Sequence, residues 1–511
     1  MSKNLGLKIC LIIILLMGVF FRLDNLDKKV YWHDEVYTSL RISGYNGDMA
    51  RDVVFTGKIV KPSDLVYFQR LNDDRGWEET WQVLAEHPEH PPLYYLLARF
   101  WSQLWGSSIT TTRSLAAIFS VLVLPALFWL CWELFPHSSV GWWAIAVVSI
   151  SPIHLLYAQE ARQYSLWSMT TLLACAAFWR ALKASQPQLK DWLLYSLTLA
   201  LNFYTSVLSV FLVISHGIYL ICTKKITHSQ VIPWFLGAIS LAGISFLPWL
   251  LVIPANLDKL KQQTEWINVN EPWLRLYSLW ELHLSSIWID FPTEINHIIA
   301  PRIFFILLFA VIYLIYFLRK QPQETLFLSL IIIIPILGLI LPDLLIGGRR
   351  SSMTRYFFPS ILGIQIALSY WLAFSKKNKL KLTIITLIFS LGIISCSLNN
   401  SAYTWWNKIS GYHNYDVARV INNSPKPLLI SDTNEINVGN LISLSHLLND
   451  QVDLLLYQNT VITAIPEGYS DIFFYNPSTQ LISNLGSNVQ TSPELAGFTN
   501  PNLLLIWSPT E

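Results

Sequence analysis

The sequence predicts an α-helical polytopic membrane protein of about eleven transmembrane helices, followed by a small α/β domain. Hydrophobic residues make up 53% of the 511 residues and charged residues only 13%, which lies well outside the range of soluble domains. The apolar residues are concentrated in long blocks that short polar stretches separate. Beyond residue 400 the pattern changes to short apolar runs between polar stretches.

The predicted membrane domain covers residues 1–398, in which the long apolar blocks recur. A membrane helix needs roughly 20 residues, and assigning one span of that length to each apolar block gives the predicted number of helices. No small-residue cleavage site follows the first apolar run, so we expect this run to be the first span. The clearest blocks are 9–21, 115–130, 303–318, 327–341 and 382–394.

Lysine and arginine residues indicate the orientation, because cytoplasmic loops of membrane proteins are enriched in both. A cytoplasmic N-terminus is consistent with this rule if the apolar, aromatic-rich stretch 91–105 lies in the interface and does not cross. The first extracytoplasmic loop then covers 24–112 and contains interfacial helices and a long insertion at 46–86. The basic residues assigned to the inside are Lys3, Lys8, Arg180, Lys183, Lys190, Lys224, Lys225, Arg319, Lys320, Lys376, Lys377, Lys379 and Lys381.

The tail, residues 399–511, is predicted to be a small extracytoplasmic α/β domain. Its short apolar runs are typical of strands, and the polar stretches between them are typical of helices and turns. No glycine-rich phosphate loop is present, so no chemistry is assigned to the tail. The predicted strands are 427–431, 452–457, 471–475 and 503–507.

Charge and cysteine content exclude some classes of function. The formal net charge is only +2, which argues against a nucleic-acid-binding surface. The five cysteines lie inside apolar blocks without C-x-x-C spacing, so neither a disulfide framework nor a thiolate metal site is indicated.

An acidic pair, Asp34-Glu35, follows an aromatic pair soon after the first span. Two adjacent carboxylates at a membrane surface are partly desolvated, which raises one pKa and suits a general base. The alternative is a helix N-terminus whose acidic residues interact with the helix dipole.

Two further outer motifs contain candidate ligands. In 87–92, prolines flank two histidines and a glutamate, which could serve as metal or phosphate ligands, and a solvated loop whose prolines cap the next helix is an equal alternative. In 151–164, Glu160 and Arg162 lie at a membrane boundary, where a charge needs a partner. An ordinary interfacial ion pair is the alternative there.

The segment 347–356 carries Arg349, Arg350 and Arg355 on the predicted extracytoplasmic side, where the positive-inside rule leads us to expect few basic residues. Guanidinium groups pair bidentately with phosphate oxygens, and glycines allow a close approach of the backbone to an anion. A phosphate-bearing ligand is therefore predicted, with contact to anionic lipid head groups as the alternative.

These motifs together resemble the membrane glycosyltransferases of the GT-C fold, in particular the glycosyltransferase family 39 group of protein O-mannosyltransferases and aminoarabinose transferases. The resemblance covers 31–372 and rests on Asp34-Glu35, the stretches 90–95 and 157–164, and the Arg355-Tyr356 pair. It implies a polyprenyl-phosphate sugar donor, inverting transfer, and an aspartate that activates the acceptor. Some members of the family bind a divalent metal ion, for which Glu35 and His90 are the candidate ligands here.

The predicted function is an integral-membrane glycosyltransferase that moves a sugar from a polyprenyl-phosphate donor to an extracytoplasmic lipid, glycan or protein acceptor at the cell membrane. A transporter or flippase is the alternative, although no internal repeat supports it. A receptor whose tail binds a ligand is a third class. The predicted catalytic residues are Asp34 and Glu35, the donor-phosphate ligands are Arg349, Arg350, Arg355, Arg162 and Tyr356, and the other substrate contacts are His90, Tyr94, Glu160 and Tyr164.

Overall fold

The structure, a computed structural model, describes residues 5–223, 231–292, 304–434, 436–458, 465–485, 489–491 and 503–507. Lys3, Lys224 and Lys225 of the predicted inside set lie outside these residues. In chain order the helices are α1 (Leu5–Leu23), α2 (His33–Ile42), α3 (Gly47–Val54), α4 (Pro62–Tyr67), α5 (Trp77–Ala85), α6 (Leu93–Trp105), α7 (Ile109–Leu134), α8 (Val140–Ser149), α9 (Pro152–Ala158), α10 (Tyr164–Lys183), α11 (Leu189–Phe203), α12 (Val210–Cys222), α13 (Val231–Ala255), α14 (Leu257–Thr264), α15 (Trp273–Ser285), α16 (Phe304–Phe317), α17 (Pro322–Ile346), α18 (Phe358–Phe374), α19 (Lys379–Ser401), α20 (Asn414–Asn422), α21 (Asn437–Ser445) and α22 (Thr479–Leu485).

Several of these helices support a multi-pass membrane protein. Five described helices are long and apolar enough to cross a membrane. The helices α8 and α9, which meet at a bend of 62°, would add a sixth span if the pair counts as one. The predicted number of about eleven spans stays a prediction, because other apolar helices are shorter than the roughly 20 residues that a bilayer needs. The five are Ile109–Leu134, Val231–Ala255, Pro322–Ile346, Thr354–Phe374 and Lys379–Ser401.

The stretch 91–105 contains the 13-residue helix α6, which is not among the candidate spans. At about 1.5 Å per residue this helix is roughly 20 Å long, too short for the hydrocarbon core. Phe100, Leu104 and Trp105 are exposed, whereas Tyr94, Tyr95 and other residues pack inside. This amphipathic arrangement suits the predicted interfacial position.

The break between α8 and α9 is stabilised by a buried arginine. Arg22 of α1 donates hydrogen bonds to the carbonyl oxygens of Val148 and Ser149 in the last turn of α8, where a helix leaves carbonyl groups in need of donors. Pro152 then starts α9, as its fixed φ favours the first turn of a helix. The bend directs α9 and the following turn 159–163 toward α2.

The tail forms a sheet together with one strand from the loop 24–112, called the outer loop below. The strands are β1 (Thr56–Val60), β2 (Pro427–Asp432), β3 (Asp453–Tyr457), β4 (Asp471–Tyr475), β5 (Val489–Thr491) and β6 (Leu504–Trp507). Their order in the sheet is β1-β3-β2-β4-β6-β5. Central β2 pairs in parallel with β3 and β4, whereas β1 joins β3 in antiparallel register. All four predicted strands are present, while β1 and β5 were not predicted.

One hydrophobic core joins the outer loop to the tail. It includes Tyr31, Val36 and Leu40 around α2 together with Leu454 and Phe473 of the sheet. The insertion 46–86 therefore does not pack by itself, because its strand and its apolar side chains complete the tail domain. The predicted boundary between 398 and 399 stays a prediction, but the sheet and this core cross it.

Candidate active site

Helix α2 carries the acidic pair in its first turn. It begins directly after Trp32, whose backbone is extended. Successive side chains of an α-helix lie about 100° apart, so the two carboxylates point in different directions. The Asp34 side chain is 20% exposed, whereas Glu35 is fully buried. The two adjacent acids therefore occupy different environments.

Two arginines from distant segments surround Asp34. The Nη1 atom of Arg355 lies 3.1 Å from Asp34 Oδ2. The Nη2 atom of Arg162 lies 4.0 Å from the same oxygen, and its Nη1 donates to the Asp34 carbonyl oxygen at 3.3 Å. The Tyr164 ring lies 5.6 Å from the Arg355 guanidinium and 6.0 Å from that of Arg162. The fold thus assembles the predicted base with two of the predicted phosphate ligands.

His90 and its neighbours extend this group. His90 Nε2 lies 3.4 Å from Arg162 Nη2 and 3.6 Å from Glu89 Oε1, and Arg41 Nη2 lies 3.7 Å from the same Glu89 oxygen. Burial and the nearby arginines hold the pKa of His90 well below its ordinary value, so the imidazole is neutral at pH 7. We call the following residues the Asp34 cluster: Asp34, Arg41, Glu89, His90, Arg162 and Arg355. Three arginines against two carboxylates give it a positive charge that suits an anion.

The pKa values of the acidic pair differ from the prediction. Burial raises the pKa of Asp34, but Arg355 and Arg162 outweigh it, and the pKa lies below its ordinary value. Burial likewise opposes the ionisation of Glu35, yet the positive charges of Arg113 and Lys408 lower its pKa to about 2. The predicted raised pKa was wrong, because it counted desolvation without the neighbouring cations.

Glu35 lies in a buried ion network behind the cluster. Arg113 of α7 donates from Nε and Nη2 to both carboxylate oxygens at 2.7 Å. Lys408 Nζ donates to Oε2 at 2.8 Å, and the backbone N–H of Ala161 donates to Oε1 at 2.8 Å. Because strong donors occupy both oxygens, Glu35 holds α2 in place and does not face a substrate.

The other predicted substrate-binding residues differ in how close they lie to the Asp34 cluster and in how deeply they are buried. Tyr356 is half-buried, with its ring 5.7 Å from the Arg355 guanidinium, and Tyr164 packs under the cluster. Tyr94 is fully buried and packs edge-to-face on Tyr95. Glu160 is also fully buried, and its Oε2 accepts from Asn407 at 2.6 Å. The substrate roles of Tyr94 and Glu160 stay predictions that their burial does not favour.

Arg349 and Arg350 pair with carboxylates other than that of Asp34. Arg349 Nη1 lies 3.2 Å from Glu271 Oε1, and Arg350 Nη1 lies 3.2 Å from Asp343 Oδ1. Gly348 has a φ of +121°, and a Cβ there would lie 2.7 Å from the carbonyl oxygen of Ile267. The glycine thus permits a close approach of protein backbone. Of the three arginines in the segment 347–356, Arg355 is the one whose described contacts reach Asp34.

The predicted metal ligands do not fit a shared cation. The oxygens of Glu35 accept from cationic groups, and His90 lies beside Arg162 and would meet a metal ion in a positively charged setting. No group of three or more His, Cys, Asp or Glu side chains suited to a metal occurs among the described residues. The metal stays a prediction, and no step below depends on it.

Sequence reasoning missed four charged residues of this region: Arg41, Glu89, Arg113 and Lys408. A signal existed for Arg113, since an arginine just before the apolar block 115–130, near the start of a membrane span, requires a partner. Glu89 stands in a motif that was recognised, but the prediction there selected the histidine. Lys408 follows α19, in a part of the chain to which no chemistry was assigned.

A family sequence model matches part of the chain. Residues 89–250 match the sequence model of the dolichyl-phosphate-mannose-protein mannosyltransferase family. That region contains His90 and Arg162, whereas Asp34 and Arg355 lie outside it. No curated protein matches the sequence significantly.

Solved structures match over almost the whole chain. ArnT from Cupriavidus metallidurans bound to undecaprenyl phosphate has a TM-score of 0.54 at 11% identity, with 98% of either chain covered. Its apo state gives 0.54 at 10% identity, over 99% of this chain and 98% of ArnT. The archaeal oligosaccharyltransferase AglB from Archaeoglobus fulgidus, in complex with an inhibitory peptide and a dolichol-phosphate, gives 0.46 at 12% identity, over 88% of this chain and 65% of AglB. The predicted resemblance is confirmed: the chain has the fold of ArnT, and its residues 89–250 carry the sequence pattern of the dolichyl-phosphate-mannose-protein mannosyltransferase family.

Proposed function

We propose that this protein is a membrane glycosyltransferase that takes a sugar from a polyprenyl-phosphate donor. The observation that carries the proposal is the convergence of Asp34, Arg162 and Arg355 from three separate segments into one partly open, positively charged cluster. A carboxylate beside arginines offers a base for an acceptor and a clamp for a phosphate leaving group. The family match and the fold similarity support the same class.

Asp34 is assigned the role of base, because it is ionised at neutral pH and partly exposed. It accepts the proton of the acceptor hydroxyl or amine while the acceptor attacks the anomeric carbon on the face opposite the phosphate. The bond from the anomeric carbon to the phosphate oxygen breaks, and its electron pair leaves with the lipid phosphate. Arg355 and Arg162 stabilise the charge that develops on that phosphate.

The contact between Asp34 and Arg355 links donor binding to base strength. A phosphate that binds Arg355 competes with Asp34 for the guanidinium, which lies 3.1 Å from the carboxylate. Loss of this contact raises the pKa of Asp34 toward its ordinary value, since Arg355 is the largest of the charges that lower it. The base therefore becomes stronger once donor is present.

We assign the acceptor to the extracytoplasmic side, following the distribution of lysine and arginine along the chain. The acceptor classes to be tested are lipids, glycans and proteins. The same proposal includes a membrane domain of about eleven transmembrane helices.

A transfer assay tests the proposal. Purified wild type and Asp34→Asn are supplied with radiolabelled polyprenyl-phosphate sugars and with lipid and peptide acceptors. We expect Asp34→Asn to lose transfer by about 10²- to 10⁴-fold, as is typical when general-base catalysis is removed. Donor binding should persist, because Arg355 and Arg162 remain.

Asp258→Asn serves as the matched control, since Asp258 is a fully exposed aspartate on α14. Full transfer by Asp34→Asn would remove Asp34 from the mechanism. If wild type binds the donor without consuming it in the presence of native membrane extract, the proposal fails and transport becomes the better hypothesis.

A further inference from the structure

A cavity lies apart from the Asp34 cluster, at the surface of the outer loop. It has a volume of about 680 Å³, and none of the six cluster residues is part of its lining. Three regions form its walls: the outer loop at 66–73, the end of α6 with the turn that follows, and His446 of the tail. The outer loop and the tail thus line a second, open concave site.

Two buried polar atoms in this lining lack partners among the described residues. Ser102 and Arg99 are 2% and 3% exposed, and the Oγ of Ser102 and the Nε of Arg99 make no hydrogen bond. A buried donor without an acceptor costs free energy, and the fold normally satisfies such groups. A ligand with acceptor oxygens would satisfy both atoms.

The charge of the lining favours an anion. Arg70 and Arg99 both contribute to the cavity, and neither has a carboxylate within ion-pair distance among the described residues. Asp73 supplies one negative charge. Burial lowers the pKa of His446 to about 4, with the charges of Arg113 and Arg70 adding to the effect, so this side chain is neutral at pH 7. The lining therefore carries a net positive charge.

The cavity lies at one end of a candidate membrane span. Ile109, which contributes to the lining, is the first residue of α7, and the N-terminus of this 26-residue helix adds a partial positive charge. On the adjacent α6, Phe100, Leu104 and Trp105 are between 52% and 66% exposed. Aromatic and aliphatic side chains in such positions favour the boundary between head groups and acyl chains.

We propose that this cavity binds the phosphate head group of an anionic membrane lipid, whose acyl chains then run along the exposed face of α6. The phosphate oxygens would accept from Arg70, from Arg99 Nε and from Ser102. This site is separate from the transfer site, and its occupant is not consumed.

Lipid titration of the full chain in detergent tests the inference. The probes are phosphatidylglycerol, phosphatidylcholine and inorganic phosphate, with bound lipid counted by native mass spectrometry and the Tm followed in parallel. Phosphatidylglycerol should bind at one site and raise the Tm, and phosphatidylcholine should do so at least about tenfold more weakly. Arg70→Gln should weaken phosphatidylglycerol binding by a similar factor, and Gln103→Trp should block the cavity through an exposed lining position.

Arg51→Gln is the matched control, because Arg51 lies in the same outer loop but outside the cavity lining. Equal binding of the two lipids, or unchanged phosphatidylglycerol binding by both Arg70→Gln and Gln103→Trp, would overturn the inference. Inorganic phosphate that binds as tightly as phosphatidylglycerol would assign the cavity to a small anion and overturn the lipid assignment. Sugar transfer by Arg70→Gln at saturating donor should remain at the wild-type rate, so that failure here is distinct from failure of the proposed function.

Discussion

At the scale of single residues, the pair Asp34-Glu35 shows how one helical turn separates two roles. Glu35 points inward, where Arg113 and Lys408 keep it ionised and fixed. Asp34 points to the open side, where Arg355 and Arg162 hold it ionised but reachable. Glu35, which is buried, positions the partly exposed Asp34, because both belong to the first turn of α2.

Replacement of Arg162 should change the pH dependence of transfer. Arg162 is one of the charges that lower the pKa of Asp34, so Arg162→Gln raises this pKa. Since the base must be ionised in the free enzyme, we expect the acidic limb of kcat/KM to move to higher pH. A pH profile measured at subsaturating donor would show this shift.

Arg180→Gln is the control for that profile, because Arg180 lies in the last turn of α10 and pairs with Asp191 instead. An acidic limb that stays at the same pH in Arg162→Gln would mean that Asp34 does not set it.

Asp290 should make the stability of the protein depend on pH. Burial raises its pKa from 3.8 to about 7, although the indole N–H groups of Trp405 and Trp406 favour the charged form. A carboxyl whose pKa is raised on folding contributes stability that is full below pH 3.8 and is lost as the pH rises toward about 7. The shift corresponds to on the order of 4 kcal/mol at full ionisation.

The test compares the Tm of wild type and Asp290→Asn across this pH range. The amide cannot ionise, so the Tm of Asp290→Asn should fall less than that of wild type as the pH rises. Weaker hydrogen bonds from the indole groups would lower the Tm of the variant by the same amount at every pH and would leave this slope unchanged. The exposed Asp258→Asn should retain the wild-type slope. Parallel slopes in all three proteins would show that Asp290 titrates normally.

At the scale of elements, α2 is held by three others. Helix α7 supplies Arg113, the turn between α9 and α10 supplies the N–H of Ala161, and the segment after α19 supplies Lys408. The bend of α8 and α9 brings the turn into place. The position of the candidate base is therefore set by contacts between segments that are far apart in the chain.

Loss of Lys408 should destabilise the protein. Lys408→Met leaves Glu35 with Arg113 but removes the cation that lies 3.4 Å from Glu160. Removal of one partner from a buried ion network costs about 3–5 kcal/mol, because the remaining charge stays buried. The Tm in detergent measures the effect. Lys426→Met, at an exposed lysine of the same tail, should change the Tm little, and an equal loss in the two variants would contradict the role given to Lys408.

The sequence allowed the prediction of elements whose pattern is local. The strands β2, β3, β4 and β6 are short apolar runs between polar stretches, and the structure contains all four. Strand β1 was not predicted, because only Gly57 and Val60 of its five residues are partly buried and the others are exposed at the sheet edge. Lys408 was not predicted either, since its partner Glu35 is 373 residues away and no local pattern encodes that contact.

Prediction of the site was limited because its contacts join residues that are far apart in the chain. The motifs identified Asp34, Arg162 and Arg355 separately, and three-dimensional packing was needed to show that they meet. Arg349 shares a motif with Arg355, yet it pairs with Glu271, a residue whose proximity the sequence does not reveal.

At the scale of the whole molecule, the sheet couples the tail to the candidate active site through one of its faces. Leu454 of β3 belongs to the core that contains Val36 and Leu40 of α2. Its neighbour Leu455 points to the opposite face and packs with Leu481 of α22. Alternation along a strand thus places two similar leucines in cores with different neighbours.

This alternation gives a matched pair of variants. Leu454→Ala and Leu455→Ala each remove a buried leucine and should each cost about 2–5 kcal/mol. Only the first leaves a cavity in the core that holds α2, so we expect Leu454→Ala to lower kcat per folded molecule, measured well below the Tm, and Leu455→Ala to leave it near wild type. Equal activity per folded molecule in the two variants would mean that the tail does not position α2. Loss in Leu454→Ala alone would show that the tail and the insertion act with the membrane helices as one catalytic unit, since the substitution lies in a strand that contributes no residue to the Asp34 cluster.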